Sequence, residues 1–136
     1  MANTTYYSSY SGTSGSNAAG TSLCPTNWTL PTSGSASKDF GTLLQHYGGT
    51  GNEQATITDA GDVISKRFRS FPNNFLYSGI FNAFSANNRG SGGYYWSRSS
   101  CRYDYSCALT LDSNHLQPSS SYSKYAGYSV RCLIGS

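Results

Sequence analysis

Along the chain, apolar residues recur at i, i+3, i+4 and i+7 most clearly between Lys38 and Tyr47, where Phe40, Leu43, Leu44 and Tyr47 fall on one helical face. That spacing predicts an amphipathic helix, with Ser35 or Ser37 as N-cap and Gly48-Gly49 as the stop. A weaker pattern from about Asp59 to Phe68 points Ala60, Val63, Ile64 and Phe68 inward, with Thr58 or Asp59 capping. Gly61 weakens this second helix, and it should end before Pro72. Elsewhere the period is two or absent. Cys107, Leu109 and Leu111 share one face of a predicted half-buried strand, and Tyr128, Val130, Cys132 and Ile134 share one face of another.

The remaining segments carry shorter signals. Thr4 to Tyr10 is rich in β-formers and predicts a first strand, and the Ser/Gly/Asn/Ala stretch from Ser11 to Ser22 predicts a surface loop, so residues 1–22 read as an N-terminal strand and loop. Leu23 to Thr32 holds two prolines, which forbid a continuing helix, and Cys24, Trp28 and Leu30, which favour burial, so a packed extended connection is expected. Phe75 to Phe81 reads as a buried strand, Asn82 to Gly93 as a long loop, and Tyr94 to Ser97 as the opening of another strand. Asp112 to Tyr125 is almost all polar or turn-forming, with Leu116 and Pro118 as its anchors, and predicts a surface segment. Strand, two helices and then several short strands make an α+β order over one domain, residues 1–136. The first strand finds its partner in Tyr128 to Ile134, which pairs the termini.

Composition narrows the partners. Charged residues make up 11% of the 136 residues and aromatics 15%, 12 of them Tyr, which excludes a coiled coil and a charge-rich disordered tail. Nine Lys plus Arg against six Asp plus Glu give +3, with the basic residues scattered from Lys38 to Arg131 and not in a block, so nucleic acid is not an expected partner. No apolar run is long enough to span a bilayer, and the opening Met1-Ala2-Asn3-Thr4 has neither a charged start nor an apolar stretch, so neither membrane insertion nor a targeting signal is expected in these residues. Cys24, Cys101, Cys107 and Cys132 lack the CxxC spacing of a zinc or thioredoxin motif. They suit a disulfide framework in an extracellular or cell-surface domain, the alternative being four buried thiols in a cytosolic protein.

Three separated motifs carry a resemblance. Cys24-Pro25-Thr26-Asn27-Trp28-Thr29-Leu30-Pro31-Thr32 resembles the C-P-x-x-W-x-L-P-T opening of the bacterial major-paralogous domains with a C-type lectin-like fold. Gly93 to Ser99 (GYYWSRS) resembles their G-x-Y-W-S-S strand, Gly127 to Leu133 (GYSVRCL) their closing G-x-S-V-R-C strand, and Pro118 sits where the family has a Pro between the last two strands. The resemblance runs from about Thr4 to the end and implies a C-type lectin-like fold with two helices, short antiparallel sheets and paired termini. It also implies that Cys24 and Cys132 are bonded. The same scaffold is similar to the variable proteins of diversity-generating retroelements, whose AAY codons become NNY and so never encode Trp, Met, Lys, Gln or Glu. None of those five occurs from Ser97 to Leu116.

The chemistry that remains is that of recognition. Calcium wants several converging carboxylates, whereas Trp96 is followed by Ser97-Arg98 and only Asp104 and Asp112 lie near, so no metal and no cofactor is expected. His46, on the exposed side of the first helix, and His115, in a polar turn, lack the neighbours of a catalytic site, and no enzyme is expected. Cys101 and Cys107, six residues apart, would form a loop staple and not a redox pair. Tyr95, Tyr103, Tyr105, Tyr122 and Tyr125 with Arg98, Ser100, Arg102, Asp104, Asn114 and His115 have the composition of a paratope, in which Tyr gives large amphipathic contacts at low entropic cost. Residues 95–125 are therefore expected to present a variable face of a monomeric display domain to a protein or glycan on another cell or phage. The alternatives are a fixed-sequence glycan-binding module at the cell surface and an enzyme related to the formylglycine-generating type.

Overall fold

The structure is a computed structural model that describes residues 7–8, 24–49, 66–102, 104–113 and 115–134. Its centre is a three-stranded antiparallel sheet of β5 (Gly92–Ser100), β6 (Tyr105–Asp112) and β7 (Leu116–Ser123), with β6 in the middle. The alternation foreseen for β6 holds, since Cys107, Leu109 and Leu111 are buried together. Its opposite face is buried as well, because Ser106 and Ala108 are also closed off from solvent, so the strand is not half-buried. Helix α1 (Asp39–His46) and a second helical stretch over residues 66–69 cover one side. There Phe40, Leu44, Phe68 and Phe75 pack on Tyr95, Leu109, Leu111 and Leu116. On the other side Trp96 and Ala108 pack on Ala126 and Tyr128.

That second layer rests on a small sheet of order β1 (Tyr7–Ser8), β8 (Gly127–Tyr128), β3 (Ile80–Asn82) and β4 (Ser85–Asn87). Tyr7 opposes Tyr128, so the first strand does pair with the closing segment. β2 (Trp28–Thr29) likewise pairs with β9 (Leu133–Ile134), and the Cys24–Cys132 disulfide closes the same region. The described residues are mixed α+β, mostly strands, with two short helices and several antiparallel sheets.

Several expectations give way. No serine caps α1. Lys38 occupies the N-cap with no side-chain bond, while Asp39 Oδ2 accepts from the Thr32 backbone N–H and hydroxyl, each at 2.7 Å, and Ser35 and Ser37 bond each other. A first-turn carboxylate thus secures the helix start and the incoming chain together. Most of the second predicted helix lies outside the described residues. Its last turn, with Phe68 buried, is present and ends before Pro72 as foreseen.

Trp28 is 42% exposed because it sits on the two-stranded β2–β9 ribbon, outside both cores. Phe75 to Phe81 is not a buried strand: pairing begins only at Ile80, Leu76 and Phe81 are exposed, and Gly79 turns at φ 77°. A Cβ there would lie 2.5 Å from the Asn87 carbonyl oxygen, so only glycine fits. The loop expected from Asn82 to Gly93 contains a tight hairpin, in which Ala83 and Phe84 join β3 to β4 with φ of 48° and 65°. The closing strand is broken into β8 and β9, with Ile134 exposed, so its alternation does not describe one face.

Candidate functional site

β5 and β6 are joined by a turn at Ser100–Tyr105 whose conformation is set by its own backbone and by the strands beneath. The N–H groups of Cys101 and Arg102 both donate to the Tyr105 carbonyl at 3.1 Å, and Ser100 Oγ donates to the Arg102 carbonyl at 2.9 Å. Just before the turn, β5 bulges between Trp96 and Ser100, three residues facing one on β6. Serines satisfy the backbone that the bulge leaves unpaired: Ser97 Oγ donates to the Cys107 carbonyl at 2.7 Å and accepts the Ser99 N–H at 3.1 Å, and Ser106 Oγ donates to the Ser99 carbonyl, while Ser99 Oγ accepts the Ser33 N–H and ties in the chain beside it. A disulfide then ties exposed Cys101 to Cys107, which is 2% exposed.

The turn that follows β7 is docked against this hairpin, since the Lys124 N–H donates to the Asp104 carbonyl at 3.0 Å. Tyr125, 79% exposed, therefore stands at the same end of the molecule as Ser100, Arg102, Asp104 and Tyr105, all of them exposed. Beside them lies a groove of about 510 Å³ lined by Cys101, Arg102, Tyr105, Gln117, Ser119 and Ser121. Arg98 is exposed on the bulge that leads into it, its N–H held by the Pro31 carbonyl. Charge, aromatic surface and hydroxyls meet here on a cross-linked frame, which suits an interface made of a few aromatic and Arg anchors with adaptable polar contacts around them.

The other predicted face residues are elsewhere. Tyr95 is 6% exposed, and its hydroxyl donates to the Leu76 carbonyl at 2.8 Å and accepts the Leu76 N–H at 2.7 Å, making it a bridge inside the core. Tyr122 is half-buried, edge-on to Tyr94 and Tyr128. Burial pushes the phenol pKa of Tyr95, Tyr122 and Tyr128 upward, as desolvation does for any group that must ionise in an apolar setting. His115 lies at the opposite end of the sheet, about 20 Å away along β6 at roughly 3.3 Å per residue. There its N–H donates to Asp112 Oδ1 at 2.7 Å, and its ring Nδ1 lies 3.1 Å from the same oxygen. Tyr103 and Asn114 lie outside the described residues.

Gln117, Ser119 and Ser121 were missed because the segment Asp112 to Tyr125 reads as a polar surface stretch. It is instead an edge strand, with Pro118, Ser119 and Ser120 buried. Pro118 is tolerated because the β6–β7 register slips between Ala108 and Thr110, where no ladder donor is needed, and its carbonyl accepts from Ser33 Oγ at 2.6 Å. The readable signal was Leu116 and Pro118 recurring two residues apart; the register slip then turns Ser120 to the opposite face, where its hydroxyl meets that of Thr110 at 2.9 Å. Among the described residues no cluster of three His, Cys, Asp or Glu could hold a metal, and no helix is long and apolar enough to cross a membrane. Comparison with known proteins finds no matching family model, no matching curated protein and no matching solved structure.

Proposed function

We propose that this chain is a C-type lectin-like display domain of the kind found in diversity-generating retroelements, working at a cell surface or otherwise outside the reducing cytosol. Its β5–β6 hairpin end binds a protein or glycan on another cell or phage. The observation that carries this reading is the division of labour at the hairpin: exposed Arg102, Asp104 and Tyr105 stand on a turn fixed by backbone bonds, buried serines and a disulfide. Their side chains are free to vary without cost to the core. The absence of Trp, Met, Lys, Gln and Glu from Ser97 to Leu116 supports codon-level diversification of the same segment, and two disulfides support an oxidising location.

Two experiments test this. The domain, biotinylated and tetramerised on streptavidin, should stain a subset of intact bacterial cells. Staining should be lost in an Arg102→Ser, Asp104→Ser, Tyr105→Ser variant that melts close to the parent, since surface changes cost within about 0.5 kcal/mol each. Undiminished staining by that variant would place recognition elsewhere. DNA flanking the gene should contain a near-copy of the segment encoding residues 97–116 that differs at adenines. A locus without one leaves a fixed-sequence binding module.

A further inference from the structure

A second groove, of about 430 Å³, opens between α1 and β9 and shares no lining residue with the hairpin groove. Its apolar walls are Pro31, Phe40, Leu43, Phe75 and Leu133, and among the described residues Arg131 and His46 are the basic side chains that line it. The size falls within the roughly 300–1,000 Å³ usual for small-molecule sites, which combine apolar walls with a few polar groups that fix orientation.

Arg131 is half-buried, with its guanidinium carbon 4.4 Å above the centre of the Phe75 ring. A guanidinium held over a ring still carries N–H donors that a carboxylate can take two at once. No carboxylate among the described residues pairs with it. Asp112 faces the His115 ring at the far end of the sheet, and Asp39, the acidic residue lining the groove, accepts the Thr32 N–H and hydroxyl on Oδ2. Burial also pushes the guanidinium pKa down, the mark of a cation short of solvation. A partly desolvated cation with no carboxylate partner among the described residues, set in an apolar groove, is one that a bound anion with an apolar body would complete.

We propose that this groove binds a small monocarboxylate with an aromatic or branched apolar body, its carboxylate on the Arg131 guanidinium and its body against Phe40, Leu43 and Phe75. The chemistry is shared by a free organic acid and by the C-terminal residue of a peptide. The site is independent of the hairpin face and stands or falls without it.

The test is a titration of the ¹⁵N-labelled domain, followed by NMR, with 3-phenylpropionate, its neutral amide and N-acetylphenylalanine. The acid should move the amides of Phe40, Leu43, Arg131 and Leu133 saturably, and the neutral amide should bind about tenfold more weakly or worse, the loss expected when a charge-assisted pair is removed. Tighter binding of N-acetylphenylalanine assigns the site to peptide C-termini, and tighter binding of 3-phenylpropionate to free acids. Arg131→Gln should weaken the acid by a similar factor, and Leu43→Trp, which fills the groove and leaves the guanidinium in place, should abolish binding. Equal affinity for acid and amide in the parent overturns the proposal, as does the absence of saturable shifts. Both are read on the unaltered domain, so neither depends on a variant folding.

Discussion

The β5–β6 and β3–β4 hairpins are exposed in opposite ways. The β5–β6 turn presents polar and aromatic side chains on a base tied down by Cys101–Cys107, by Ser97 and Ser106, and by the Lys124–Asp104 backbone bond. The β3–β4 turn presents Phe84, 98% exposed, on two non-glycine residues with positive φ, at the free edge of its sheet with every β4 residue exposed. Exposure alone therefore does not distinguish a recognition surface. A fixed base is what favours the β5–β6 end under the proposed function, because a preorganised loop gives up less conformational freedom when it binds. A left-handed Ala-Phe pair, where Asn-Gly is the favoured chemistry, stands instead on strands with no fully buried residue.

Four measurements can break or sharpen this contrast. The largest effect should come from alkali. Tyr95 and Tyr128 have folded pKa values raised by burial above the ordinary phenol value of 10.0. The stabilisation they give is complete below pH 10 and is lost as pH rises past it, because the unfolded chain releases protons that the folded chain keeps. Each ring that resists ionisation costs up to about 1.4 kcal/mol per pH unit there. Unfolding above pH 10 should coincide with a late step in tyrosinate absorbance, and a smooth titration of every Tyr in a folded domain would contradict the buried layer under the β5–β6 hairpin.

Trp96→Ala comes next. Trp96 is almost fully buried and stacks on Tyr128 with ring centres 4.2 Å apart, so truncation should cost about 3–5 kcal/mol by chemical denaturation. Trp28→Ala should cost far less, since Trp28 lies outside both cores. Opening Cys101–Cys107 with paired Ser substitutions removes a loop constraint worth about 2 kcal/mol in the chain-entropy account. Hydrogen exchange should then rise at residues 100–106 and stay unchanged at 80–87. The smallest effect has the opposite sign: Ala83→Asn with Phe84→Gly should stabilise by about 1 kcal/mol, because both replacements accept positive φ more readily. A destabilised double variant would show that Phe84 is held by contacts its exposure does not reveal.

Much of the scaffold was legible because its side chains are chemically loud. Helix α1 was visible through the spacing of Phe40, Leu43, Leu44 and Tyr47, and β6 through alternating Cys107, Leu109 and Leu111. Strand β7 was not, because Ser carries almost no hydropathy signal: Ser119 and Ser120 are buried, while Ser121 in the same run is exposed. The site was half legible for a related reason. Composition picked out the Arg, Tyr and Asp of the hairpin turn, yet it cannot tell a displayed Tyr from one whose hydroxyl reaches a buried carbonyl, as Tyr95 does at Leu76. Nor does it show that His115 and Tyr105 sit at opposite ends of one sheet. Trp28 misled because the exposed ribbon it joins depends on a partner, Ile134, more than a hundred residues away.

The Cys24–Cys132 bond has a mechanical meaning. The two Cα atoms are 5.7 Å apart across 108 residues of sequence, which fully extended would span roughly 350–390 Å. Once β1 has peeled from β8 and β9 from β2, tension applied to the chain on either side of these cysteines runs through the sulfur–sulfur link and bypasses both cores. While that link is oxidised, the central sheet and its hairpin then bear none of the load, and a domain pulled between two surfaces keeps its hairpin end in shape.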